Sequence, residues 1–257
     1  RAIEDELAPK GYHIIICQTH GDASKENESI DTLLNAQVDG ILISSSNKEI
    51  EPFNRVLAKN IPLVFFDRKK TMKGVSSVVI DDFEGGYNAT LHLIKQGYTR
   101  IAHLSGNRSI EIYKNRYLGY KQALIDNGLE FNEDYVIQTS SDRISGSNSL
   151  KSLLELNPAP NAIFSASDLA ALGAIQELKL KHIKVPHEFA VVGFSNEPFT
   201  QFMELSISTV DQSPLEMGKI AAQVFLEQVA STTDEKIEKN IVLPTELIIR
   251  KSSALVD

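Results

Sequence analysis

Residues 78–107 read VVIDDFEGGYNATLHLIKQGYTRIAHLSGN, and this stretch decides the fold. It opens on a short apolar run, Val78-Val79-Ile80, that stops at Asp81 and Asp82. Tyr87, Leu91 and Ile94 then recur at helical spacing, and Gly97 closes the pattern. A second apolar run, Arg100 to Leu104, ends in Ser105-Gly106-Asn107. The sum is a strand–helix–strand unit, which requires a parallel sheet with a crossover helix. Both strands finish in small polar or acidic residues at their carboxyl ends, and that edge of an open parallel sheet is where ligands bind.

The same beat extends in both directions. Arg1 to Lys10 reads as the latter half of an amphipathic helix, with Ile3 and Leu7 four apart and Gly11 closing it; its uncapped start predicts a strand and loop upstream. Strands are predicted at His13–Thr19, Gly40–Ser44 and Leu63–Phe66. Between them lie a helix from Ser24, with Ile30, Leu33, Leu34 and Val38 inward, and a helix from about Lys48 to Lys59. Beyond residue 107 come a helix over Ile110–Asn127, a strand Tyr135–Gln138, a helix Ser145–Leu156 and a strand Ala162–Phe164. A helix Leu169–Leu180, with Leu172, Ile175 and Leu178 as its stripe, leads to a strand Ala190–Phe194.

Then the beat changes. A short strand, Ile207–Val210, precedes Ser213-Pro214-Leu215-Glu216, a capping box with Pro at the first helical position that launches a helix over Leu215–Val229. A polar tract, Ser231 to Asn240, leads to a last strand over Ile241–Arg250, whose Pro244 places at least part of it at a sheet edge. A late helix and strand after a full run of strand–helix units predict two separate sheets, with the chain crossing between them more than once.

Strand after strand ends in polar residues: Ser44-Ser45-Ser46-Asn47, Asp67-Arg68, Thr139-Ser140-Ser141, Ser165-Ala166-Ser167-Asp168 and Ser195-Asn196. Capping of the next helix accounts for some of these, Ser24 and Asp168 foremost. One cap per helix is enough, however, so doubled and tripled polar residues point to a polar ligand cleft.

Composition narrows the function. Against 34 Asp and Glu stand 26 Lys and Arg, a formal net charge of −8. Duplex DNA rewards clustered cations, so this surface is not expected to read nucleic acid. No run has the roughly 20 apolar residues a membrane span requires, and no signal-peptide pattern opens the chain. The single cysteine, Cys17, lies in the apolar run Ile14-Ile15-Ile16-Cys17 and is expected to be a buried thiol, consistent with a reducing cytoplasm.

The six histidines (13, 20, 92, 103, 182, 187) show no metal-binding spacing and are expected at surfaces and edges; His20 is the one that could face a cleft. No metal or cofactor is expected. Gly193-Phe194-Ser195-Asn196-Glu197 lacks the second glycine of a nucleophile elbow, and Asp82-Phe83-Glu84-Gly85-Gly86 matches neither phosphate-loop pattern, so no enzyme is expected. Arg116 and Asp67 stand out, since a bidentate donor and an acceptor-only carboxylate together orient vicinal hydroxyls.

The runs PLVFFDR, VVIDDFEGGYNATLHLIKQGYTRIAHLSG, NRYLGYKQAL, SASDLAALGAI, VPHEFAVVGFSN and LPTELIIRKSS occur in one order over essentially the whole chain. In this the chain resembles the effector-binding core of lactose-repressor-type (LacI/GalR) bacterial transcription regulators. The resemblance implies an α/β fold of two doubly wound parallel-sheet lobes, periplasmic-binding-protein-like, joined by three crossovers. The expected lobes are residues 1–98 plus 209–236, with the first strand missing, and 99–208 plus 237–257. The crossings are placed near Gly97–Thr99, Leu205–Thr209 and Glu235–Lys239.

It further implies a small sugar or sugar phosphate in the interlobe cleft, a homodimer, and control of operator DNA through an amino-terminal helix-turn-helix absent from these residues. Cytoplasmic location and no membrane contact follow. Asp67 and Arg116 match the family's sugar-contacting carboxylate and guanidinium. Ser44 and Gln212 match strand-end contacts of the amino-terminal lobe, and Ser141, Ser167 and Ser195 those of the other. His20, Asp81, Asp168 and Asn196 are secondary candidates.

The chain departs from the sugar-binding pattern at Ser141, Ser167 and Ser195, where relatives carry an aromatic, Asn and Asp. It has no Trp to stack on a sugar, a role left to Phe83, Tyr113, Tyr117 or Phe194. Arg116→Ala is expected to abolish effector binding with little change in melting temperature. Leu172, Phe199, Phe202 and Met203 form either a dimer face or a short packed helix. A secreted sugar-binding protein of an ABC transporter is the alternative reading of the same architecture.

Overall fold

The computed structural model describes residues 1–230 and 238–254. Two compact units emerge: Arg1–Ile80 with Ser213–Pro244, and Asp81–Gln212 with Thr245–Asp257.

In the first unit a four-stranded sheet has the order β1 (Ile41–Ile43), β2 (Leu63–Phe66), β3 (Ser76–Ile80), β9 (Asn240–Leu243), all parallel. Helices α1 (Ala2–Leu7), α2 (Ala23–Asn35), α3 (Glu51–Leu57) and α9 (Pro214–Ala230) accompany it. Ile30 and Leu34 of α2 pack with Phe53 and Val56 of α3 and with Ile41, Leu63 and Phe65 of the sheet. Here the helical period read from Ile30, Leu33, Leu34 and Val38 matches the buried face. The N-cap of α2 is Asp22, whose side chain accepts from the Ser24 and Lys25 amides, and not Ser24.

The strand expected at His13–Thr19 does not form. Among the described residues the backbone amides of 13–18 find no hydrogen-bond partner, and Ile14, Ile15, Ile16 and Cys17 are exposed. Apolar β-branched content disposes a segment to pair, but a strand exists only against a neighbour. The thiol is therefore exposed, not buried.

The second unit has a six-stranded sheet, β10 (Glu246–Ile248), β8 (Ser208–Asp211), β7 (Ala190–Ser195), β6 (Ala162–Ser165), β4 (Ile101–Ser105), β5 (Val136–Gln138). All pairs are parallel except β10 with β8. Its helices are α4 (Asp82–Lys95), α5 (Glu111–Asp126), α6 (Arg143–Leu154), α7 (Asp168–Leu180) and the short α8 (Phe199–Phe202). Ile163, Val191 and Leu104 of the sheet pack with Leu150, Ala174 and Leu178 of α6 and α7.

Two glycines explain how α4 and α5 fit. A Cβ on Gly86 would lie 2.3 Å from the Arg116 carbonyl oxygen, and one on Gly119 would lie 2.1 Å from that of Phe83. Small residues let the two backbones touch, so α4 buries Gly85, Gly86, Ala89 and Leu93 and leaves Tyr87, Leu91 and Ile94 only partly covered. The stripe read from the sequence is the flank of the true contact face.

The chain divides differently from the boundaries read at 98, 208 and 236. Because α4 packs on α5, the first crossing falls at Ile80–Asp81. Because β8 pairs with β7 from Ser208 to Asp211, the second falls at Gln212–Ser213. The expected last strand is two strands: β9 pairs with β3 in one unit and β10 with β8 in the other, with Pro244-Thr245 as the break. Both lie at sheet edges, as a proline between them requires. Of the crossing expected at Glu235–Lys239, residues 235–237 lie outside the described residues.

Candidate functional site

In the first unit β1 and β2 deliver their polar ends side by side. The Ser44 hydroxyl donates to Asp67 Oδ2 at 2.9 Å. Asp67 holds a left-handed backbone, φ 60°, while its amide donates to the Val78 carbonyl. The serine triplet divides its work. Ser45 Oγ donates to Glu26 Oε1 at 2.7 Å, the Ser46 amide to Oε2 at 2.8 Å, and Ser46 Oγ accepts from Arg68 Nη1 at 2.9 Å. Arg68 Nε lies 3.9 Å from Asp67 Oδ2 and, among the described residues, has no hydrogen bond. Glu26, buried in the first turn of α2, is not among the residues that the sequence points to. A buried carboxylate that serves a distant strand end leaves no local spacing to read. His20 is exposed in a left-handed turn before Asp22.

In the second unit the two aspartates after β3 have different tasks. Asp81 caps α4, accepting from the Glu84 amide at 2.8 Å. Asp82 is buried and accepts from Arg116 Nε at 2.7 Å. Arg116 also donates through Nη1 to the Ala166 carbonyl at 3.0 Å, and its guanidinium lies 3.6 Å over the Phe194 ring. It is 2% exposed. Read from sequence as a sugar-contacting guanidinium, Arg116 has its donors committed inside the second unit: α5 turns it into the protein, against α4 and the β7 end.

Around it the other strand ends meet in pairs. Ser167 Oγ donates to the Ser141 carbonyl at 2.9 Å, and Gln212 Nε2 to Ser195 Oγ at 2.6 Å. Gln212 thus belongs with the second unit, not the first as expected, because it continues β8 beside β7. Asn196 donates from Nδ2 to Asp211 Oδ2 at 2.7 Å and accepts from Arg250 Nη2 at 2.8 Å. Asp168 is the first residue of α7 and not its cap; that position is Ser167, with no side-chain capping bond. Burial pushes the Asp168 carboxyl up to about 6, against the hydrogen bonds it accepts from Thr209 and Glu197.

Of the aromatic candidates, Phe194 is fully buried under Arg116, Phe83 is exposed and stacks on Tyr87, and Tyr113 and Tyr117 are half-buried. Two histidines expected at the surface are buried. His92 bonds Ser253, and His103 stacks between Tyr120 and Phe164, where burial lowers its pKa to about 3.

Backbone strain marks the same places. Non-glycine residues with left-handed φ include Asp67, Ser195 and Asn196 at strand ends and Ser141 in the loop after β5. Such conformations persist where surrounding bonds over-determine them, and they gather at ligand sites.

Two sheets, one parallel and one parallel but for β10, each with polar residues at its carboxyl edge, define a ligand-sensing α/β protein. Residues 1–251 match the family described as periplasmic binding proteins and sugar binding domain of LacI family. The chain is 33% identical over 257 residues to the HTH-type transcriptional regulator DegA of Bacillus subtilis, covering 99% of this chain and 75% of that protein. It resembles the transcriptional regulator CelR in its cellobiose complex, with a TM-score of 0.88 at 28% identity, covering 98% of this chain and 76% of that one. It is equally close, at 0.88 and 25% identity, to a LacI family regulator from Enterococcus faecium with bound ribose, over 100% of this chain and 92% of that one. The chain belongs to the LacI family, as the sugar-binding, effector-sensing domain of a transcription regulator. Relatives named as helix-turn-helix regulators set aside the transporter reading. Among the described residues no helix is long and apolar enough to cross a membrane.

Proposed function

We propose that this domain senses a neutral sugar through the polar strand ends of its units: Ser44 and Asp67 in the first, and Ser141, Ser167, Ser195 and Gln212 in the second. Arg116 forms the floor of the second cluster. The observation that carries the reading is the strained, hydrogen-bonded presentation of Asp67 and Ser195 at strand ends and of Ser141 in the loop after β5. Charge decides between a sugar and a sugar phosphate. Arg116 is compensated by Asp82, and Arg68 lies 3.9 Å from Asp67 and donates to the hydroxyl of Ser46, whose amide donates to buried Glu26. A phosphate beside Asp67 would meet a carboxylate, and both of these cations already face one, whereas hydroxyls suit both donors and acceptors.

The domain performs no catalysis, works in the cytoplasm and controls operator affinity of a DNA-reading segment. Such coupling is typically ~1–3 kcal/mol. A homodimer is part of the reading. Leu172, Phe199 and Met203 pack against the core while Phe202 is 79% exposed, so Phe202 is the residue left to meet a second copy. A thermal-shift screen with ribose, cellobiose, other neutral sugars and their phosphates tests the proposal. A neutral sugar should raise the melting temperature, and Asp67→Asn should weaken the shift. Stabilisation by phosphorylated sugars alone would overturn it.

A further inference from the structure

Asp168 is 1% exposed, and its bonds converge on the turn that carries Ser195. Its Oδ1 accepts from Thr209 Oγ1 at 2.7 Å and its Oδ2 from the Glu197 amide at 2.8 Å. Thr209 Oγ1 in turn accepts from the Asn196 amide at 3.1 Å. Ser195 and Asn196 are consecutive non-glycine residues with φ 121° and 53°. A turn of that kind does not hold itself, so something must fix its amides. Gly193 leaves the necessary room: a Cβ there would lie 2.1 Å from Asp168 Oδ1.

We infer that Asp168 is the positioning residue of the second cluster: as a carboxylate it fixes the Ser195–Glu197 turn through the Glu197 amide and the Thr209 hydroxyl. This rests on the reading of Ser195 and Gln212 as effector contacts. The direction of the relay demands an acceptor at 168. With both carboxylate oxygens accepting, the Thr209 hydroxyl points toward Asp168 and its oxygen faces the Asn196 amide. An amide side chain in the same volume must present an N–H either to the Glu197 N–H or to Thr209, and one donor is then left over. The charged group facing the carboxylate is Glu197, which opposes ionisation; Arg250 and Asp211 act on the turn through Asn196 instead.

The test is amide hydrogen exchange and pH titration by NMR on the whole chain, without ligand. In the wild type the Glu197 amide resonance should titrate with a midpoint near 6, and in Asp168→Asn that titration should vanish. Exchange at Asn196 and Glu197 should quicken by on the order of tenfold or more in Asp168→Asn, with core amides such as Ile163 unchanged. Thr209→Val should free Asn196 while Glu197 stays protected, which keeps the test intact if the first variant folds poorly. Unchanged protection of both amides in Asp168→Asn, or a Glu197 resonance indifferent to pH, overturns the inference. Because no sugar is added, failure to find an effector is a separate result. Once a sugar is found, its affinity should fall with Asp168→Asn while the variant remains folded.

Discussion

Arg116→Ala should destabilise the second unit severely, contrary to the expectation from sequence that its melting would scarcely change. The guanidinium and the Asp82 carboxylate are 3% and 5% exposed and 2.7 Å apart. Removing one member of a buried pair leaves the other charge without its counterion, at a cost of about 3–5 kcal/mol. The loss of a desolvated cation–π contact over Phe194, at 3.6 Å, adds about 1–2 kcal/mol. For a domain of this size each kcal/mol lowers the midpoint by roughly 2–4 °C, so a drop of about 10 °C or more is expected. Tyrosine fluorescence is a suitable probe, since there is no Trp and every tyrosine except Tyr12 lies in this unit. A double variant, Arg116→Met with Asp82→Leu, removes both charges and should recover much of the loss. If the single variant melts within about 2 °C of wild type, or the double variant melts lower than the single, the buried-pair argument is wrong.

Gly119→Ala should cost about 1–3 kcal/mol, because its Cβ would lie 2.1 Å from the Phe83 carbonyl oxygen and force α4 and α5 apart; urea denaturation with an unchanged midpoint would refute the close packing. His103 should make the protein sensitive to acid. Its folded pKa, near 3, is below the unfolded 6.5, so the unfolded chain binds the extra proton and stability falls as pH drops below 6.5, by about 2 kcal/mol at pH 5. Asp168, raised to about 6, acts oppositely between about 6 and 3.8, so the contrast to measure is wild type against His103→Phe, whose stability should decline less from pH 7 to 5. Phe202→Glu should leave the melting temperature within about 1 °C but shift a sedimenting dimer toward monomer; a dimer indifferent to the change would place the interface elsewhere.

Much of the architecture is legible in the chain. The alternation of short apolar runs with 3.6-period stripes predicts parallel strands and their helices, and strand Leu63–Phe66 is observed at the bounds read for it. Polar residues at the strand ends, Asp67 and Ser195 among them, announce the edge proposed here to hold a ligand. These are local signals, since a strand end and a helix start are adjacent in sequence. Three-dimensional packing decided what locality cannot express. It sent Arg116 inward to Asp82, brought Glu26 under Ser45, and gave Asp168 to the amide of Glu197. It split the last apolar run between two sheets and left residues 13–19 without a ladder. The reason is common to all of them: burial and pairing depend on which distant segment arrives alongside, and a carboxylate carries no mark in the sequence of whether it will meet water, a cation or a backbone amide.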